Sequence, residues 1–285
     1  FILSGILIIA AIVFLFIFGL KPGIDFTGGS ILEIKYQGER PSNQVIKDSL
    51  SEFDLGEVHI QPTGNKGVIL KMKDLNEQTH QEIIKKLSES SKLEELRFES
   101  IGPVIGRELK GKTKIVIVLS LLAIVLYIAF AFRKLTFPAK SWQYGVSSLL
   151  ALFHDVLIPV GVFSVLGKFY GVQITIPVIV ALLTVLGYSI NNTVVVFDRV
   201  RENLLKRIGV DYEDTLNISL NQTLTRSVNT SLTTLFVLVA IFLFGGETLK
   251  YFALALIIGI MAGTYSSIFL AGPILFSWLK WRKII

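Results

Sequence analysis

The sequence predicts a helical membrane bundle interrupted by one small α+β domain. Three observations carry this. Mean hydropathy is +0.62 with 52% hydrophobic residues. Six apolar runs approach bilayer length, and one long polar stretch separates the first run from the second. A spanning helix needs ~20 mostly apolar residues, because each adds ~1.5 Å to a path of ~30 Å.

The runs cover residues 3–20, 114–132, 145–166, 175–197, 232–244 with its flanks, and 252–279. The first reads as a retained helix, since Gly19-Leu20-Lys21-Pro22 offers no small-x-small cleavage pattern. The sequence opens on Phe, which leaves room for a basic leader upstream.

The formal charge of +6 invites a nucleic-acid reading, and its distribution excludes one. From Lys21 to Lys114 there are 15 basic and 15 acidic residues. The excess lies beside the apolar runs: Arg133, Lys134 and Lys140; Arg199, Arg201, Lys206 and Arg207; Lys280, Arg282 and Lys283. The remaining short loops carry one lysine each, Lys168 and Lys250. By the positive-inside rule, both termini and the basic loops are cytoplasmic and residues 21–112 extracytoplasmic. With no cysteine, disulfides and thiolate metal sites are excluded.

The expected organisation is a first spanning helix over 1–20, a domain over 21–112, and five further helices over 113–285. Within the domain, residues 30–36 alternate apolar and polar as a half-buried strand does. Pro41 opens a helical pattern with Val45, Ile46, Leu50 and Phe53 on one face. Residues 58–61 and 68–72 read as strands joined by a Pro62-Thr63-Gly64-Asn65 turn. Residues 76–90 form a second amphipathic helix and 93–101 a fourth strand. The order βαββαβ predicts a ferredoxin-like unit. Between the fourth and fifth runs, residues 199–223 read as an amphipathic connector, with Leu204, Leu205, Ile208, Leu216 and Ile218 among charges.

Nothing in the sequence assembles a site for covalent chemistry, a metal or a cofactor. His59 and His80 lack a cysteine or a spaced histidine partner. Gly28-Gly29 has no Lys-Ser/Thr tail, and Gly102-x-x-x-Gly106 runs into Arg-Glu, so neither is a phosphate loop. These glycines read as turns where a helix meets the domain.

The informative residues are polar groups inside apolar runs, where an ionisable side chain marks a pathway or an essential pairing. Asp155, beside His154, is the one carboxylate well inside a run. It is either a structural hydrogen-bonding group or a proton-accessible carboxylate. Adjacent helical residues project about 100° apart, a poor geometry for a joint site. The fourth run contains Gly187-Tyr188-Ser189-Ile190-Asn191-Asn192-Thr193, suited to close packing and interhelical hydrogen bonds, and ends in the charges of Asp198 and Arg199. The fifth begins Thr225-Arg226-Ser227-Val228-Asn229. Arg226 either snorkels to headgroups or faces Asn192 across the bundle.

Five blocks resemble, in order, the SecF family, membrane subunits of the bacterial SecD–SecF accessory translocase. They are Gly23-Ile24-Asp25-Phe26-Thr27-Gly28-Gly29; Ile101-Gly102-Pro103-Val104-Ile105-Gly106-Arg107-Glu108-Leu109; Ala151-Leu152-Phe153-His154-Asp155; the stretch from Gly187 to Arg199; and Thr223 to Leu232. The resemblance implies half of a resistance-nodulation-division pump in the bacterial inner membrane. Its six helices would pair with six of SecD. It would assist export of unfolded preproteins through SecYEG after SecA, driven by the proton-motive force, with no enzymatic activity.

One position departs from the pattern. The family usually carries Asn-Asp-Thr where this chain has Asn191-Asn192-Thr193. Either an amide has replaced the relay acid, mimicking its protonated state, or the lineage relays through Asp155 or a SecD carboxylate. Asn192, Arg226 and Asp155 are therefore the relay candidates, with His154, Ser189, Asn191, Thr193 and Asn229 in support. Two other classes compete: a half-exporter of lipids or small molecules, for which one small domain is too little, and an intramembrane enzyme, which lacks a nucleophile–base pair.

Overall fold

The computed structural model describes residues 1–131, 133 and 139–282. Lys134, Lys283 and the end of the second run at Phe132 lie outside them. The chain divides into two compact units, Pro22–Ile115 and Phe1–Lys21 with Val116–Ile285.

The chain opens on α1 (Ile2–Phe18), an apolar helix of 17 residues ended by Gly19 at φ 65°. In the smaller unit, the single turn α2 (Ile24–Thr27) leads into β1 (Gly29–Tyr36). Then come α3 (Asn43–Ser49), β2 (His59–Thr63), β3 (Gly67–Met72), α4 (Glu77–Ser88) and β4 (Leu93–Ile101). The strands form one sheet in the order β2-β3-β1-β4, every neighbouring pair antiparallel. Period-two alternation puts Leu32, Ile34 and Tyr36 of β1 and Val68, Leu70 and Met72 of β3 on one face. Ile46, Leu50, Leu55, Ile83 and Leu87 cover them. Burying each such aliphatic side chain contributes roughly 1.5–3 kcal/mol before entropy is counted.

Local chemistry sets the boundaries. Ser42 accepts from the Val45 N–H, so α3 starts later than Pro41; the Asn76 side chain accepts from Thr79 at 2.8 Å and caps α4. Pro62 and Thr63, expected in the hairpin turn, belong to β2, an edge strand where the missing proline N–H does no harm. The reversal falls on Gly64-Asn65-Lys66, with Gly64 at φ 58°.

The glycine motifs pack against each other. A Cβ on Gly28, which sits at φ 77°, would lie 2.8 Å from the Pro103 Cα, and one on Gly106 would lie 2.7 Å from the Gly28 nitrogen. Only hydrogen fits between these two backbone segments.

The larger unit contains α5 (Pro103–Ala131, shared with the smaller unit), α6 (Ser141–Tyr170), α7 (Ile176–Leu205), α8 (Tyr212–Phe244), α9 (Glu247–Phe269) and α10 (Ala271–Trp281). Five stretches are long and apolar enough to cross a membrane: α5, α6, α7, α8, and Leu249–Trp281. The last is two helices meeting at Leu270. Pro273 has no N–H for the Phe269 carbonyl four residues earlier, which breaks the ladder there.

The stretch 199–223 is not one connector helix. Arg199 to Leu205 finish α7, Gly209 turns at φ 102°, and α8 starts after Asp211, whose side chain accepts from the Asp214 N–H. Asn203 then ties the two helix ends together, donating to Ser219 at 2.8 Å and Gln222 at 2.9 Å.

Small residues set the helix contacts. Gly259 and Gly263 of α9 lie against Val185 and Ser189 of α7, where added Cβ atoms would approach to 2.3 and 3.0 Å. Gly161 of α6 lies against Ala11 of α1, and Ser164 donates to the Phe14 and Gly19 carbonyls at 2.8 Å.

Candidate functional site

Asp155 is fully buried on α6, four residues before Pro159. The proline removes the N–H that would bond the Asp155 carbonyl, so the ladder is interrupted at the acid itself. Its carboxylate gathers donors from three helices. Oδ1 lies 2.8 Å from His154 Nδ1 on α6. Oδ2 accepts from the Ser189 hydroxyl of α7 and, at 2.7 Å, from the Ser266 hydroxyl of α9.

The expectation that adjacent helical positions give His154 and Asp155 a poor geometry for a joint site is corrected by this contact. Their backbone directions diverge, yet both side chains are long enough to turn towards each other. His154 is itself fully buried, with its ring 6.1 Å from that of Tyr265. Tyr265 accepts from Ser4 of α1 at 3.4 Å. Among the described residues, His154 Nε2 has no hydrogen-bond partner.

The remaining predicted residues separate into two groups. Ser189, Asn192 and Thr193 are buried, and among the described residues neither the Asn192 amide nitrogen nor the Thr193 hydroxyl has a partner. Asn191 and Arg226 are exposed on α7 and α8, as is Asn229. No hydrogen bond joins Asn192 to Arg226 among the described residues. Exposed polar positions run along both helices: Thr184 and Asn191 on α7, and Arg226, Asn229, Thr230 and Thr233 on α8. The charges near Asp198 and Arg199 form pairs along α7, Arg199 to Glu202 at 2.7 Å and Arg201 to Asp198 at 3.6 Å.

Ser266 was missed by sequence reasoning, as was a second polar chain through Tyr188, Ser231 and Thr264. Tyr188 donates to Ser231 at 3.3 Å, and Ser231 lies 2.6 Å from Thr264. The Gly259-x-x-x-Gly263 spacing beside Ser266-Ser267 was the available signal. In the smaller unit, Asp25 and Phe26 sit in α2, with the Thr27 hydroxyl on the Gly23 carbonyl at 3.1 Å. Gly29 packs against the Met72 carbonyl, Gly102 precedes α5, and exposed Glu108 pairs with Lys112 at 2.7 Å. His80 is buried between Glu77 at 3.3 Å and Glu95 at 3.2 Å and stacks on Phe98.

Comparison with known proteins places these features. The family described as "Protein export membrane protein SecD/SecF, C-terminal" matches residues 80–281, and the "SecD/SecF GG Motif" matches 13–39. The protein translocase subunit SecF of Thermobaculum terrenum is 43% identical over 98% of this chain and 90% of its own length. That of Anaerolinea thermophila is 36% identical over 99% and 93%. A crystal structure of Thermus thermophilus SecDF, described as a translocon-associated membrane protein, superposes with a TM-score of 0.83 at 35% identity. The match covers 97% of this chain and 37% of that one. A second SecDF structure, in a super-membrane-facing form, gives 0.67 at 36% identity. The two glycine blocks coincide with the matched segments, and relatives share over a third of their residues across nearly the whole sequence. The chain belongs to the SecD/SecF family of protein export membrane proteins.

Proposed function

We propose that this chain is the SecF-type subunit of a SecD–SecF accessory translocase, assisting export of unfolded preproteins through SecYEG and SecA. The relatives named protein translocase subunits support this reading. In it α1 is a sixth span, both termini are cytoplasmic, and the sheet unit is a ferredoxin-like extracytoplasmic domain in a bacterial inner membrane. The βαββαβ order and the antiparallel β2-β3-β1-β4 sheet support the last assignment. The chain performs no covalent chemistry; the proton-motive force supplies the work, with the Asp155 cluster and Arg226 as relay candidates and Asn192 at the position where the family usually carries an acid.

The observation that carries the reading is the polar stripe on α7 and α8. Thr184, Asn191, Arg226, Asn229, Thr230 and Thr233 are exposed on helices of spanning length. Hydrocarbon is a costly neighbour for an amide or a guanidinium, so another protein surface covers them. SecD helices are that surface, consistent with solved SecDF chains that extend well beyond the segment matched here.

Spin labels on cysteines replacing Asn191, Asn229 and Leu126 test this in bilayers. Leu126 is 70% exposed on α5 and serves as the lipid-facing reference. Co-expression with a SecD-type chain should shield the first two sites from lipid-soluble relaxers and leave Leu126 accessible. Equal accessibility at all three, with the chain purifying alone, would overturn the reading.

A further inference from the structure

The His154–Asp155 pair holds one hydrogen-bonding capacity that the proposed relay does not use. Asp155 receives the Ser189 and Ser266 hydroxyls on Oδ2 and faces His154 Nδ1 with Oδ1. An ionised carboxylate can accept from all three, and a proton on Nδ1 completes that set. In that tautomer Nε2 presents a lone pair. It is buried in a side chain of 0% exposure, with no partner among the described residues.

We propose that the exchangeable proton of this cluster is carried on Nε2 of His154, and that Asp155 remains an ionised acceptor in both states. Protonation forms one N–H bond from the Nε2 lone pair and takes the pair from a net charge of −1 to 0. The imidazolium stays beside the carboxylate that neutralises it, so no unpaired charge is created among the helices. Asp155 then positions the histidine: it fixes the tautomer and orients the ring, as a carboxylate does for an imidazole in other buried sites.

Among the described residues, the titratable groups against the imidazole are Asp155, on its own helix, and Tyr265, from α9. The neighbouring helices α7 and α1 contribute the neutral hydroxyls of Ser189 and Ser4, the latter through Tyr265. The Tyr265–Ser4 contact links this ring pair to α1.

The inference deepens the proposed proton coupling and rests on it only for its consequence in export. Its test is spectroscopic. The chain has 3 histidines. In the full chain with its SecD-type partner in bilayers, ¹⁵N-histidine and ¹³C-aspartate labels report each nitrogen and the Asp155 carboxyl. His59→Gln and His80→Gln assign the other two rings. Across the pH range in which the complex stays folded, Nδ1 of His154 should stay protonated, Nε2 should be found in both free and protonated forms, and the carboxyl carbon should keep its ionised signal. Asp155→Asn should abolish the fixed tautomer.

An Nε2 that keeps or lacks its proton throughout, or a titrating Asp155 carboxyl beside a static ring, would overturn the proposal. The functional reading fails separately. If Nε2 titrates and no gradient stimulates export, the reading falls and the proton assignment stands. If a gradient stimulates export while Nε2 is static, the assignment alone falls.

Discussion

Asp155 joins three helices with one carboxylate, and its neighbours should be measurably unequal to the average membrane serine. Hydrogen bonds to a charged group contribute about 1.5–3 kcal/mol, against about 1 kcal/mol for neutral ones. Ser266→Ala removes one of three donors. It should lower the thermal stability of the purified complex, whereas Ser267→Ala, whose hydroxyl donates to the Thr264 carbonyl of its own helix, should not. Equal effects would show that Asp155 does not hold α9. Asn192 poses the complementary case. It is buried with an unpartnered amide nitrogen, and an acid there would add a group able to change charge within the same bundle. Asn192→Asp should raise gradient-stimulated export, and Arg226→Ala should remove most of that gain. The acid, the histidine and the amides were legible in the sequence because charge and amide groups stand out in apolar runs. Ser266, Ser231 and Thr264 were not, since hydroxyl residues are common between spanning helices and only packing shows which ones point at an acid.

At the scale of elements, glycine decides how closely backbones approach, and the structure distinguishes contacts that can yield from those that cannot. A methyl on Gly259 would meet the Val185 side chain at 2.3 Å. Overpacking of this kind costs about 1–3 kcal/mol. Gly259→Ala should therefore destabilise the bundle, and Val185→Ala in the same chain should restore much of the loss. Gly28→Ala should cost a similar amount with no such rescue, because its obstacle is the Pro103 backbone and its φ of 77° is itself unfavourable for alanine. Thermal melts of the three variants check both statements; no rescue of Gly259→Ala by Val185→Ala, or a tolerated Gly28→Ala, would contradict them.

The sheet unit also predicts an acid response. A hydrogen bond from Lys73 holds the Asp54 carboxyl below its ordinary range, and Gln81 and His80 do the same for Glu77. For a depressed carboxyl, the stabilisation is present above the unfolded-state value and is lost as pH falls through the folded one. Stability of this unit should hold from neutrality to the ordinary carboxylate range near pH ~4 and decline below it. A decline that begins near neutrality would assign the transition to another group. Strands and helices of this unit were read from period-two and helical patterns to within a few residues. The break at Leu270 and the division of 199–223 were not, because each depends on one residue, Pro273 or Gly209, inside an otherwise continuous pattern.

For the whole molecule, the two units have different solvents and different rules. The sheet unit closes its own core over Leu32, Ile34 and Leu70, all at 0% exposure. The helical unit leaves Asn191, Arg226 and Asn229 uncovered on helices of spanning length, the face to which the proposed reading assigns a partner. Family membership was legible from five ordered blocks, since those blocks hold the glycines and polar groups whose geometry tolerates little change. The exposed polar face on α7 and α8 was not, because exposure of a polar residue on a helix is a property of the folded bundle. The most direct test is export in proteoliposomes containing SecYEG, SecA and a SecD-type partner, with and without this chain, each with and without a proton gradient. Gradient-stimulated export of a preprotein should appear only when this chain is present. Equal stimulation in its absence would contradict a role as the coupling subunit.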